Sequence, residues 1–154
     1  MPTVLEGLAR FRRAVGGVLA FVTTVVVVFA APTPASAAED WYYLCGVYPC
    51  QTGVEVGAAE GVCMTGPAST RVCVKYDGDY VYVLDGKADG NAAMGIIDSE
   101  KGIGRRYCRN PHGNGTWARC NFDWSESGKK SVFGGVKYDH ISMYYEFLWS
   151  FSNN

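Results

Sequence analysis

Histidine is scarce in this sequence, which holds only His112 and His140 in 154 residues. The GxSxG motif of an activated serine is absent, and so are a heptad pattern and an internal repeat. Beyond residue 31 there is also no long apolar run. These absences exclude a nucleophile-elbow hydrolase, a coiled coil and a repeat array, and they leave few side chains suited to proton transfer near neutral pH.

An excess of charge of one sign is also missing, because 14 lysines and arginines stand against 15 aspartates and glutamates. Three of these arginines and one glutamate lie in residues 1–37. Without that segment, 14 less 3 leaves 11 basic residues and 15 less 1 leaves 14 acidic residues, a formal charge of −3. Such a balance gives no strong signal for nucleic acid, or for an anionic membrane surface, as a partner.

The N-terminal segment has the parts of a secretory signal peptide. Arginines at positions 10, 12 and 13 precede an uncharged run over residues 14–31, and Ala35-Ser36-Ala37 supplies the small residues of a cleavage site. We predict cleavage after Ala37, which makes residues 1–37 a signal peptide and residues 38–154 a single secreted, extracellular domain. An uncleaved membrane anchor is the alternative, since the 18 residues of the run are at the short limit of a transmembrane span.

Six cysteines follow the predicted leader: Cys45, Cys50, Cys63, Cys73, Cys108 and Cys120. An even number of cysteines in an exported chain predicts three disulfides. Because the cysteines fall into three neighbouring couples, sequential pairing is the simplest arrangement. Paired CxxC knuckles and suitably placed histidines are missing, so we expect no metal site and no cofactor.

Glycine-rich turn signals separate short runs of valine, tyrosine and tryptophan. This pattern predicts an all-β domain, a small antiparallel sandwich or barrel-like fold of short hairpins stabilised by the disulfides. Residues 71–84 give the clearest hairpin, with Asp77-Gly78 as the turn and Val74 opposite Val81. Residues 103–124 predict another hairpin, with a loop at 110–115 that brings Cys108 close to Cys120.

Near the C-terminus, apolar side chains occupy every odd position from Ile141 to Phe151, and only Leu148 interrupts the polar even positions. Strict period two predicts a strand in the core with one face buried. Residues 85–97 fit a hairpin, an irregular loop or a short helix. The aspartates and glycines of residues 77–91 fit turns better than a calcium loop, because Lys87 and Ile96 occupy EF-hand ligand positions.

Eighteen aromatic residues lie within residues 38–154, more than one small core readily encloses. Exposed tyrosine and tryptophan provide a large amphipathic contact area, and arginines interleaved with aromatics favour anionic groups. The candidate binding residues are Trp41, Tyr43, Tyr80, Tyr82, Arg105, Arg109, Trp117 and Arg119, with Tyr144 as a further exposed aromatic. They predict a non-catalytic recognition module for an extracellular glycan, a cell-wall polymer or a protein.

Two other functions are compatible with the sequence. A small secreted hydrolase or ribonuclease-like enzyme would use His112, His140 and Glu146 as its acid and base groups. No spacing imposes that geometry, and disulfide-bound cysteines offer no thiol nucleophile, so recognition is favoured over catalysis. A secreted toxin or protease inhibitor is the further alternative, because a disulfide-locked frame resists proteolysis and residues 110–115 offer an exposed loop.

Overall fold

The computed structural model describes residues 42–152. The predicted leader, its cleavage site and Trp41 lie outside the described residues. The strands are β1 (Cys50–Thr52), β2 (Val54–Val56), β3 (Val62–Thr65), β4 (Arg71–Lys75), β5 (Tyr80–Leu84), β6 (Ala92–Ser99), β7 (Arg105–Asn110), β8 (Trp117–Asn121), β9 (Lys129–Lys137) and β10 (Met143–Ser152). Two short 3₁₀ turns are formed by Tyr43–Gly46 and Pro67–Ser69. Within this range no helix has the length and apolar character needed to span a membrane.

Two five-stranded sheets pack face to face as a sandwich. Sheet A has the strand order β1-β7-β6-β9-β10, and sheet B has the order β2-β8-β5-β4-β3. Paired strands are antiparallel except β1 and β7, which are parallel. The core lies between the sheets and is rich in fully buried valines, which are Val72, Val74, Val81, Val83 and Val132. The prediction of an all-β domain, either a sandwich or barrel-like, is confirmed, and the two separate sheets make it a sandwich.

The hairpin of β4 and β5 forms in the predicted register. Val72 pairs with Val83 and Val74 with Val81, and all four valines are fully buried on the core side. The backbone N–H of Asp79 donates to the carbonyl of Tyr76 at 3.3 Å and closes the turn at Asp77-Gly78. Here the turn signal and the alternation of side chains point to the same pairing, which is why sequence alone locates it.

One short segment, residues 50–56, belongs to both sheets. It runs beside β7 as β1 and beside β8 as β2, and it changes sheet at Gly53. A Cβ atom at Gly53 would lie 2.7 Å from the Cβ of Ala118, so the crossing requires glycine. The side chain of Gln51 donates to the carbonyl of Asn121 and accepts from its N–H, which closes this edge of the sandwich.

The three disulfides join Cys45 to Cys50, Cys63 to Cys73 and Cys108 to Cys120. Sequential pairing is therefore confirmed. The hairpin predicted over residues 103–124 is wrong, because β7 belongs to sheet A and β8 to sheet B. The chain crosses between the sheets after Asn110, whose buried side-chain amide donates to the carbonyls of Val83 and Thr116. The Cys108–Cys120 disulfide therefore joins strands of two different sheets and not the two strands of one hairpin.

The C-terminal strand also departs from prediction, since β10 is an edge strand of sheet A. A β-bulge between Phe147 and Trp149 interrupts its pairing with β9. Phe147 is therefore 56% exposed on the outer face, whereas Leu148 and Trp149 pack against the core. Leu148, the residue that breaks the alternation in the sequence, marks the place where the strand changes faces.

Residues 85–91 form a loop, and β6 begins at Ala92. The carboxylate of Asp85 accepts the backbone N–H of Lys87, and that of Asp89 accepts the N–H of Asn91. These are the side-chain-to-backbone bonds by which aspartate stabilises a turn. The turn interpretation of this acidic stretch is therefore confirmed.

Candidate functional site: the outer face of sheet B

Alternation in β5 and β8 presents aromatic and basic side chains on the outer face of sheet B. In β8, Ala118 and Cys120 point into the core, so Trp117 and Arg119 point outward. In β5, the buried valines at 81 and 83 place Tyr80 and Tyr82 on that same outer face. We call Tyr80, Trp117 and Arg119 the aromatic–arginine face.

The strand register fixes the geometry of this face. Tyr80 pairs with Asn121 and Leu84 pairs with Trp117, so Tyr80 and Trp117 lie four positions apart along adjacent strands. At about 3.3 Å per residue, this corresponds to roughly 13 Å along the strands. Arg119, which pairs with Tyr82, lies between them in the register, and its guanidinium is 5.0 Å from the centre of the Tyr80 ring. Tyr80 and Trp117 are half-buried and Arg119 is exposed.

Tyr82, predicted to be exposed, is only 3% exposed, so that expectation is wrong. It lies in the central strand of sheet B, between Cys73 of β4 and Arg119 of β8. Because β2 and β3 form opposite edges of this sheet, the connection over residues 57–61 has to cross its full width. Glu60 in this connection reaches Lys75 on the outer face, and the Tyr80 ring lies 6.4 Å from the Tyr82 ring, centre to centre.

The outer face carries more positive than negative charge. Arg71 and Arg119 are exposed, and the ammonium of Lys75 donates to the carboxylate of Glu60 at 2.7 Å. That hydrogen bond lowers the pKa of Glu60 and raises the pKa of Lys75. With three cations and one carboxylate, the face is suited to hydroxyl-rich ligands that carry acidic groups.

Two of the candidate arginines, Arg105 and Arg109, lie in sheet A and not on this face. The guanidinium of Arg105 bonds to Asp98 at 2.5 Å and to the hydroxyl of Tyr145 at 3.3 Å. Arg109 is 6% exposed, because β7 lies between β1 and β6. The predicted grouping of Arg105 and Arg109 with Trp117 and Arg119 is therefore wrong, since it depended on a β7–β8 hairpin.

Other candidate aromatics are exposed at a different place. Tyr43 is 51% exposed in the first 3₁₀ turn, and its backbone N–H donates to the carbonyl of His140. Tyr144 is 49% exposed on β10, and its hydroxyl donates to the carboxylate of Glu146. Tyr43 and Tyr144 are therefore separate from the aromatic–arginine face.

The candidate acid and base groups have distinct local roles. His112 is exposed, and its Nε2 lies 2.8 Å from the carbonyl of Gly53, with Glu55 4.0 Å from Nδ1. Glu146 is engaged by Tyr144, and His140 is exposed in the connection between β9 and β10. Among residues 42–152, no group of three or more histidine, cysteine, aspartate or glutamate side chains converges as a metal site.

Sequence reasoning missed Arg71 and Glu60 as members of this surface. The pairing of β4 with β3 places Arg71 on this surface, and the connection that crosses the sheet places Glu60 there. Their long-range placement has no local sequence signal. Comparisons with family models, with curated proteins and with solved structures find no match for this chain.

Proposed function

We propose that this protein is a secreted, non-catalytic recognition module that binds an extracellular glycan through the aromatic–arginine face. The observation that supports this most directly is the placement of Trp117 and Tyr80 about 13 Å apart, with Arg119 between them. Aromatic rings provide flat apolar surfaces for the C–H faces of sugar rings, while guanidinium groups donate to hydroxyls and carboxylates.

The rigidity of the sheet also supports binding. Arg119 and Tyr80 project from paired strands, and the Cys63–Cys73 disulfide joins the neighbouring β3 and β4 on the same outer face. Side chains held on strands lose less conformational freedom on binding than side chains on a loop. The excess of cations favours a glycan that carries carboxylate or sulfate groups over a neutral one.

We also propose that the protein is exported from the cell. Three disulfides in a small domain are compatible with an oxidising, extracellular environment. We expect the protein recovered from the medium of a secreting host to begin at Ala38, which intact mass measurement checks. A species that begins at Met1 and remains with the membrane fraction would support the uncleaved anchor instead.

The binding test is co-sedimentation of the secreted, oxidised protein with insoluble acidic polysaccharides, neutral polysaccharides and cell-wall preparations. We expect retention on the acidic materials, with no soluble sugar released into the supernatant. Trp117→Ala and Tyr80→Ala should each weaken retention about fivefold, since each removes one aromatic contact, whereas Tyr144→Ala, which removes an exposed aromatic from β10, should not.

Two results would contradict this proposal. Equal retention of Trp117→Ala, Tyr80→Ala and the unsubstituted protein would remove the aromatic–arginine face from consideration. Release of soluble product would instead favour the enzyme, and a parallel assay with RNA as substrate covers the ribonuclease alternative. Thermal unfolding of each variant separates lost binding from lost folding.

A further inference from the structure

An open cleft of about 460 Å³ lies at the end of the sandwich where β4 turns into β5. Tyr76, Asp77 and Gly78 of that turn line one side, and Glu126 from the segment after β8 lines the other. A cleft of this volume is within the usual range of small-ligand sites. It holds an aromatic ring and two carboxylates that the recognition proposal does not use.

Tyr76 forms a fixed wall of this cleft. Its ring packs against Phe151 with a centroid distance of 4.5 Å, and its hydroxyl accepts a hydrogen bond from the indole of Trp149 at 3.4 Å. Both Trp149 and Phe151 pack against the core. A ring held in this way presents its surface without the entropic cost of ordering a mobile side chain.

Negative charge dominates this end of the molecule. Asp77 and Glu126 are exposed, and Asp123 is exposed nearby in the segment that follows β8. Two cations are close, but neither lines the cleft: Lys75 is paired with Glu60, and Lys130 is fully buried, with its ammonium 5.8 Å from the Phe151 ring centre. The exposed charge that a ligand meets in the cleft is therefore carboxylate.

A buried carboxylate connects the two walls. One oxygen of Asp79, in the β4–β5 turn, accepts the backbone N–H of Trp124 at 3.0 Å, two residues before Glu126. Its other oxygen, Oδ1, is buried and has no hydrogen-bond donor among the described residues. Asp79 is 8% exposed and has a φ of +56°, a left-handed conformation that aspartate adopts only at specialised turns. The Asp79–Trp124 bond holds the β4–β5 turn against the segment that carries Glu126, although Asp79 itself lies beneath the cleft and does not line it.

We propose that this cleft binds an organic ammonium group, such as the protonated amine of an amino sugar. The face of Tyr76 attracts a cation through the quadrupole of its ring, and Asp77 and Glu126 supply the opposite charge. The cleft adjoins the aromatic–arginine face where Gly78 lies against the Tyr80 ring, but its lining is acidic and that face is rich in cations, so the inference stands independently of the recognition proposal.

The test compares two trisaccharides that share a backbone, the glucosamine trimer and its fully N-acetylated counterpart, which lacks the ammonium charge. Titration into the ¹⁵N-labelled secreted protein should shift the amide signals of Gly78 and Glu126 with the amine form only. The affinity should fall as salt is added, because the contacts are between exposed charges.

Matched variants locate the interaction. Asp77→Asn combined with Glu126→Gln should weaken binding of the amine trimer about tenfold, since two exposed charge contacts are lost. The control is Glu55→Gln, which neutralises an exposed carboxylate on β2 and should leave the affinity unchanged. All these side chains are exposed, and unfolding temperatures check that the variants fold.

Equal affinity for the two trimers, or an unchanged affinity in the double variant, would overturn the proposal. Absence of binding by the amine trimer would overturn it as well. Shifts confined to Tyr80, Trp117 and Arg119 would assign the binding to sheet B and equally overturn the cleft. Failure of the polysaccharide sedimentation test has no bearing on these outcomes, so the two proposals can fail separately.

Discussion

The disulfide between Cys108 and Cys120 joins a strand of sheet A to a strand of sheet B within the core. The two residues are 0% and 2% exposed, and their Cα atoms are 5.8 Å apart. Both belong to the same buried cluster as Val81 and Val132. The bond therefore ties the two sheets together inside the core, one strand in from the edges formed by β1 and β2, whereas the Cys63–Cys73 bond lies within sheet B.

Removal of this bond should be costly. Cys108→Ala combined with Cys120→Ala should lower the free energy of unfolding by about 3 kcal/mol from chain entropy alone, for a separation of 12 residues. Cys45→Ala with Cys50→Ala spans 5 residues outside the buried core and should cost less, about 2 kcal/mol. Urea unfolding of both variants measures the difference, and equal losses would contradict the role assigned to the inter-sheet bond.

Gly95 of β6 lies where sheet A approaches sheet B too closely for a larger side chain to fit. A Cβ atom there would lie 2.8 Å from Cγ2 of Val83 and 3.2 Å from Cγ1 of Val81, both in sheet B. Gly95→Ala should therefore destabilise the fold by about 1–3 kcal/mol through overpacking. Gly104→Ala is the control, since no described atom lies within 4 Å of its added Cβ. A loss of the same size at both positions in thermal unfolding would refute the packing explanation.

Local signals in the sequence sufficed for the β4–β5 hairpin but not for the assignment of strands to sheets. The turn at Asp77-Gly78 and the flanking valines specify a pairing between neighbours, which needs no information from elsewhere. Cys108 and Cys120 are equally close in sequence, yet the same alternation fits a hairpin within one sheet and a crossing between two. Only the long-range packing of the sheets decides between them.

In the candidate site, too, some features follow from the local sequence and others depend on long-range packing. The outward direction of Tyr80 and Arg119 follows from period two once the core face is known. The burial of Tyr82 does not follow from that pattern. The connection that contains Glu60 crosses the sheet from one edge strand to the other, and the local sequence does not show this crossing. The change of faces along β10 had one local sign, Leu148, whose apolar side chain at a polar position indicated the bulge.

The pH dependence of stability should contain a contribution from Asp79. Burial, as the largest cause, raises the pKa of this carboxyl above its ordinary value of 3.8. The folded protein thus binds the proton more tightly than the unfolded chain, and stability falls as pH rises from about 3.8 through the raised pKa. Above that pKa the loss is complete and constant.

Asp79→Asn should remove this contribution. Asparagine keeps an acceptor for the N–H of Trp124 and tolerates the left-handed backbone at this position. Relative to the unsubstituted protein, the variant should gain stability as pH increases across that window. Some pH dependence should remain, because burial also raises the pKa of Asp85. Urea unfolding of both proteins at about pH 3.5, 5 and 7, values that span the ordinary titration range of a carboxyl group, measures the difference in their free energies of unfolding. A difference that stays constant with pH would contradict the raised pKa of Asp79.

Arg105 and Arg119 provide a matched pair that separates stability from binding. Arg105 is bonded to Asp98 and Tyr145, and its side chain is 24% exposed. Arg105→Gln should therefore lower the free energy of unfolding by about 1 kcal/mol and leave polysaccharide retention unchanged.

Arg119→Gln should have the opposite effects. Its guanidinium is exposed and contacts the Tyr80 ring, so its loss should change stability by no more than about 0.5 kcal/mol. Retention on acidic polysaccharide should weaken, and its salt dependence should become shallower because one cation has been removed. If Arg105→Gln reduced retention as much as Arg119→Gln at equal stability, the binding surface would lie on sheet A, and the aromatic–arginine face would lose its main support.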